Sequence, residues 1–315
     1  TDVCEKIGDE AYAYAEKALT EKHMETAKQF FLNASHVFRC AQFPIVEDNE
    51  HKKRIYRKLI DSYEKATYLF EPKIERVVIP FENYEMTGYL RLPNQYSKDC
   101  PVVISVGGGD GWREEHHNYS EFYVKRGIAY FIFDGPGQGE TRIFNNVHMP
   151  IEVEKSLGAV VDFMYDYEKV GKNIGIVGYS YGGYMAARAA AFNNKIKASC
   201  SIGGAYDIFE ALEKMPHLIK IIMAITGKDE STSERMARLM TLKGLCKNIE
   251  SSLLVIHGGK DHLFSVQNIQ KLYNEASSSD KTIKIWESGN HCCTNYSTEV
   301  TCTAADWFMD KLKQS

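Results

Sequence analysis

Over the first seventy positions, apolar side chains recur at the spacing of helices that bury one face. Ala27, Phe31, Ala34, Phe38 and Ala41 form one stripe, and Ile55, Leu59, Ala66 and Leu69 form a second. Pro44 separates the two stretches, and Glu71-Pro72 ends the second, because a proline disfavours helical backbone in the residue before it. The pattern predicts an αα-hairpin from about residue 9 to 70. Lys52, Lys53, Arg54, Arg57 and Lys58 give it a basic face, which reads as solvated helix surface.

From Ile74 the rhythm changes to apolar strands. IERVVIP and YEMTGYLRLP read as paired strands, followed by VVISV (102–106), a helix near 118–126, IAYFIFD (128–134) and a helix near 151–169. Then come IGIV (174–177), an alanine-rich helix, KASCSI (197–202), LLVIH (253–257), a helix near 265–276, TIKIWE (282–287) and a helix near 298–313. Continuous apolar strands alternating with helices predict an α/β fold, a mostly parallel sheet covered on both faces. A helix-prone, methionine-bearing insertion between two of these strands is placed to cap the strand ends. The expected division is a helical hairpin (1–72), a first core segment (73–203), the cap (204–247) and a second core segment (248–315).

One serine stands out. Gly178-Tyr179-Ser180-Tyr181-Gly182 is G-x-S-x-G between a short apolar strand and a helix, the setting of a nucleophile elbow. A serine that merely caps the helix is the plainer alternative. In an open α/β sheet ligands collect beyond the carboxyl ends of the strands. Asp261 follows LLVIH there, and His291 follows TIKIWE. The order Ser180, Asp261, His291 is that of a hydrolase triad on such a sheet. His291 is the expected proton acceptor and Asp261 its orienting carboxylate. An oxyanion hole needs two backbone N–H groups. Tyr181, next after the nucleophile, is one candidate, and Gly109, in the loop Gly107-Gly108-Gly109-Asp110-Gly111 after VVISV, is the other.

Composition narrows the field. The chain has 315 residues, 44% hydrophobic and 25% charged, with a formal net charge of −4, which gives no case for nucleic acid or an anionic membrane. No apolar run approaches the roughly 20 residues of a membrane span, and the opening segment does not read as a signal peptide. Eight cysteines, scattered except for Cys292-Cys293, look like reduced thiols, so the expected location is the cytoplasm. The triple-glycine loop lacks the Lys-Ser/Thr of a P-loop, and FDGPGQGE (133–140) lacks dinucleotide-binding spacing. Glu114-Glu115-His116-His117 resembles a metal site in composition only, since adjacent helical residues diverge. No metal and no cofactor are expected. Tyr179 and Tyr181 read either as pocket walls or as scaffold.

GYSYGG, GKD and GNH, with DGPGQGE and the helical front end, resemble the α/β-hydrolase superfamily. Within it the chain is similar to the group of 2,6-dihydroxypseudooxynicotine hydrolase, the fungal pigment-shortening hydrolases and the FrsA-like esterases. The resemblance implies the α/β-hydrolase fold and a homodimer. It also implies cleavage of a carbon–carbon bond next to a ketone in an aromatic or polyketide-like small molecule. A carboxylesterase or chain-releasing thioesterase on the same triad is the alternative within the class, and a non-catalytic hydrolase-like binding protein the alternative outside it. Some members use a further acid after the strand following the elbow. GGAYDIFEALE offers Asp207, Glu210 and Glu213 there, and Glu210 is the candidate.

Overall fold

The computed structural model describes residues 1–109 and 111–313. Asp110, within the glycine loop, lies outside the described residues. The chain separates into two compact units, Thr1–Arg76 and Val77 onward.

The first unit has three helices among its described residues, α1 (Asp2–Thr20), α2 (Met24–Gln42) and α3 (Glu50–Thr67). The last two occupy the stretches that the apolar stripes predict. Helix α1 is additional. Its buried face is Gly8, Ala11, Ala15 and Ala18, with Glu5 at one end. At Gly8 α2 comes close, since a Cβ built there would lie 2.5 Å from the Phe38 ring. Ala15, Ala18, Ala27, Phe31 and Ala66 form a shared core. Part of the basic face is ion-paired as well as solvated. Arg54 and Lys58 grip the Glu5 carboxylate, Lys58 also reaches Asp9 at 2.7 Å, and Lys65 pairs with Glu16.

In the second unit the described residues form one eight-stranded sheet of order β1-β2-β4-β3-β5-β6-β7-β8. The strands are β1 (Glu75–Phe81), β2 (Tyr84–Arg91), β3 (Val102–Val106), β4 (Ala129–Asp134), β5 (Ile174–Tyr179), β6 (Ile196–Ile202), β7 (Ser252–Gly258) and β8 (Lys281–Trp286). Strand β2 runs antiparallel to β4, and every pairing from β4 through β8 is parallel. Strands β3, β4 and β5 are buried at every position, because helices cover both faces and leave no side for polar residues. The connecting helices are α4 (His117–Val124), α5 (Gly139–Ile143), α6 (Glu154–Asp166), α7 (Tyr181–Phe192), α11 (Val266–Glu275) and α12 (Ser297–Lys313).

The insertion between β6 and β7 carries α8 (Phe209–Lys214), α9 (Ile219–Thr226) and α10 (Glu230–Leu239). Its two ends are tied together. The Ile208 N–H donates to the Met240 carbonyl at 3.1 Å and the Leu242 N–H to the Tyr206 carbonyl at 2.8 Å. The excursion therefore leaves and rejoins the sheet at one place. No described helix is long and apolar enough to cross a membrane.

Strand order reverses around β3, with β4 on one side and β5 on the other. The loops leaving β3 and β5 consequently diverge to opposite faces and open a crevice at the carboxyl ends of the strands. The glycine loop and Ser180 both flank that crevice.

Candidate active site

Ser180 sits between β5 and α7 with φ 58° and ψ −125°, a conformation that a residue with a Cβ rarely adopts. The turn is tight enough to require glycine on both sides. A Cβ at Gly178 would fall 1.8 Å from the Gly182 carbonyl oxygen, and one at Gly182 would fall 2.2 Å from the Val106 carbonyl oxygen. Although Ser180 stands at the N-cap of α7, its side chain makes no capping hydrogen bond. Its hydroxyl instead lies 2.7 Å from His291 Nε2.

His291 Nδ1 lies 2.8 Å from Asp261 Oδ2. The carboxylate can only accept there, so Nδ1 carries the proton and Nε2 is left to accept from Ser180. Asp261 has a fully buried side chain. Its other oxygen, Oδ1, accepts from the Leu263 and Phe264 N–H groups at 2.8 and 3.2 Å. Burial alone would raise the Asp261 pKa, but the His291 hydrogen bond and these amides hold it below the ordinary carboxylate value. Burial pushes His291 toward the neutral form. The Cys292 sulfur and the Asp261 carboxylate more than offset that, and its pKa is raised.

Four further residues surround this relay. His257, at the end of β7, is fully buried, and its Nε2–H donates to the Phe264 carbonyl at 3.0 Å while lying 3.7 Å from Asp261 Oδ2. Burial lowers its pKa, which keeps it neutral beside the carboxylate and lets it brace the turn that presents Asp261. Cys292 and Cys293 both have positive φ, 55° and 51°, directly after His291. That left-handed pair turns the chain sharply, and the Cys292 sulfur reaches the Ile202 carbonyl at 3.5 Å. The fourth is Gln138, whose side chain meets the glycine loop.

On the far side of Ser180 lies that glycine loop. A Cβ built on Gly108 would be 3.8 Å from Ser180 Oγ. One built on Gly109 would be 3.9 Å from Tyr181 Cβ and from the side chains of Ile221 and Ile225 on α9. The first residue of α7, Tyr181, has no carbonyl one turn earlier in the helix to receive its N–H. The cap thus lays isoleucines over the loop, and the Met149 N–H binds the Ile225 carbonyl at 2.8 Å to hold α9 there.

Tyr179 and Tyr181 pack as scaffold. Tyr179 stacks on Tyr119 with ring centroids 4.8 Å apart, and the Tyr181 hydroxyl donates to Met240 Sδ at 3.2 Å. Asp207 accepts from the Phe209 N–H at 3.0 Å, Glu213 is exposed, and Glu210 accepts from the Ser265 N–H at 3.1 Å and pairs with Lys214. Burial would raise the Glu210 pKa, but Lys214 and Ser265 hold it low, so it anchors the segment after Asp261 as a carboxylate. The Glu114–His117 run sends its side chains to separate partners: Glu114 pairs with Arg113, and His116 Nδ1 meets Ser105 Oγ at 2.9 Å.

Comparisons with known proteins agree with this architecture. The chain is 33% identical over 235 residues to the α/β hydrolase ucsC of an Acremonium species, covering 67% of this chain and 47% of that one. It therefore spans about half the length of that relative. It is 27% identical over 310 residues to 2,6-dihydropseudooxynicotine hydrolase of Paenarthrobacter nicotinovorans, covering 97% and 83% of the two chains. The crystal structure of 2,6-dihydroxy-pseudo-oxynicotine hydrolase superposes with a TM-score of 0.90 at 25% identity, covering 98% of this chain and 87% of that one. The family model described as FrsA-like esterase matches residues 6–313, and the chain belongs to that family of α/β-hydrolase fold.

Proposed function

We propose that the protein is a serine hydrolase that cleaves a carbon–carbon bond next to a ketone in an aromatic or polyketide-like small molecule. The observation that carries the hydrolytic reading is the unbroken relay from Ser180 Oγ through His291 to Asp261, at 2.7 and 2.8 Å. A binding module has no use for a proton relay whose tautomer is fixed by a buried carboxylate.

Ser180 Oγ adds to the substrate carbonyl as its proton passes to His291 Nε2. The Tyr181 and Gly109 N–H groups receive the negative charge that develops on the carbonyl oxygen. The tetrahedral adduct collapses, His291 gives its proton to the departing group, and water repeats the sequence to release the acid and restore Ser180. A departing carbon must delocalise its electron pair, as in a β-diketone or an acyl-phenol, because a simple alkyl carbanion is far too basic to leave. The relative that acts on a pseudooxynicotine supports this bond class. Ile221 and Ile225 beside Gly109 suit an apolar or aromatic substrate body.

Ester hydrolysis is the second reading, favoured by the esterase description of the family. An ester oxygen leaves without a carbanion sink, so the same residues serve. Matched β-diketone, ester and thioester substrates sharing one aryl group separate the two readings. The proposal expects the highest kcat/KM on the β-diketone. A higher value on the ester, with the β-diketone untouched, reverses the assignment of bond class.

A further inference from the structure

The DGPGQGE run takes no part in the relay from Ser180 to Asp261, yet it is held by hydrogen bonds along its length. Asp134, at the end of β4, accepts from the Arg113 N–H at 3.1 Å and the Glu140 N–H at 3.0 Å. The Thr141 hydroxyl donates to the Asp134 carbonyl at 2.7 Å. The guanidinium of Arg113, wholly buried, bridges Glu114 and Glu140. Arg113 thereby ties the 113–116 turn to α5, whose N-cap residue is Gln138, only 3% exposed.

The Gln138 amide is used at both ends. Nε2 donates to the Gly107 carbonyl at 2.8 Å and to the Gly108 carbonyl at 2.9 Å, while Oε1 accepts from the Gly135 N–H at 3.2 Å. The reversed amide would set an oxygen against two carbonyls and an NH₂ against an N–H, so the network fixes its orientation. A trans peptide holds its C=O and N–H on opposite sides of a rigid plane. Gripping the Gly108 carbonyl therefore turns the Gly109 N–H away from Gln138. Gly107, Gly108 and Gly109 have no side chains to hold this conformation, the Gly111 N–H also donates to the Gly108 carbonyl at 3.3 Å, and glycine backbone is the most freely rotating in the chain.

We propose that Gln138 is a positioning residue for the oxyanion hole. By clamping the Gly107 and Gly108 carbonyls it aims the Gly109 N–H at the oxygen on which negative charge develops. This rests on the serine-hydrolase reading and extends it to a residue that touches neither substrate nor triad. DGPGQGE is then a structural arm whose product is the angle of one peptide plane.

The test compares a 4-nitrophenyl ester with its thionoester, whose sulfur is a poor fit and a weak acceptor for oxyanion-hole donors. Gln138→Met keeps length and volume and removes both donors. Losing one oxyanion donor outright lowers kcat by about 10²–10³-fold, so a misaimed donor is expected to lower ester kcat by at least about tenfold with little change in KM. The thionoester rate falls much less, so the ester-to-thionoester ratio of kcat/KM drops. The pH profile, which reports His291, stays where it is. Thermal unfolding monitors the fold. If Gln138→Met does not fold, Gln138→Asn, which keeps the amide on a shorter arm, must show the same fall in the ratio. Ester and thionoester rates that fall in equal proportion, or an unchanged ester rate, overturn the clamp and leave the serine-hydrolase reading standing. A wild-type protein that neither hydrolyses the ester nor reacts with a fluorophosphonate overturns both.

Discussion

Replacing Asp261 by asparagine isolates the orienting role of the carboxylate from its structural one. Oδ1 is held by two backbone N–H donors, from Leu263 and Phe264. An asparagine keeps those bonds only by placing its carbonyl oxygen there, which turns its NH₂ toward His291. That group donates, so His291 Nδ1 must become the acceptor and the ring proton moves to Nε2. An Nε2–H cannot take the Ser180 proton. The wrong-tautomer penalty measured for a triad of this kind is about 10⁴-fold in kcat. Since both amide hydrogen bonds survive, the melting temperature should change little. Stopped-flow and steady-state hydrolysis of an activated aryl ester, with melting measured alongside, gives both quantities. Less than about a tenfold loss of kcat in a folded Asp261→Asn protein would refute the tautomer argument. So would a larger loss in Asp207→Asn, whose carboxylate caps the Phe209 turn instead.

Three further outcomes follow from individual contacts. His291 must be neutral to accept a proton, and its pKa is raised, so kcat/KM should climb with pH through a value above the ordinary 6.5 and be lost below it. In the first unit, Arg54 and Lys58 hold the Glu5 carboxyl down at about 2, from 4.5. The stabilisation is complete above about 4.5 and lost as pH falls toward 2, so the advantage of wild type over Glu5→Gln in circular-dichroism melts should be smaller at pH 3 than at pH 7. Gly178→Ala places a methyl against the Gly182 carbonyl, and overpacking of that kind costs about 1–3 kcal/mol, measurable as a lower denaturant midpoint. An unchanged midpoint would mean that the elbow has room the geometry denies.

The meeting of Ser180, Asp261 and His291 is legible in the sequence because each follows an apolar strand, and a parallel sheet brings all such ends to one side. The same logic puts the glycine loop, with Gly109, beside Tyr181. Helix α1 was not legible because its inward face is Gly8, Ala11, Ala15 and Ala18, residues too small to contrast with the charged positions between them. Nothing in the apolar pattern marks Glu5 as the anion that gathers Arg54 and Lys58 from α3, so the basic face read as solvated. His257 was hidden inside LLVIH, where a polar strand end looks ordinary. Gln138 was hidden for a different reason. Its contribution is a pair of hydrogen bonds to backbone carbonyls distant in sequence, and hydrophobic periodicity carries no record of peptide-plane orientation.

Whether Ser180 is the nucleophile, activated by His291 and Asp261, is read by intact-mass spectrometry after reaction with a fluorophosphonate. A single adduct is expected on the wild-type protein, mapped by peptide sequencing to the segment containing GYSYG, and no adduct on folded Ser180→Ala. An adduct that persists on Ser180→Ala at another serine, or a folded wild-type protein that takes up no label, would contradict it.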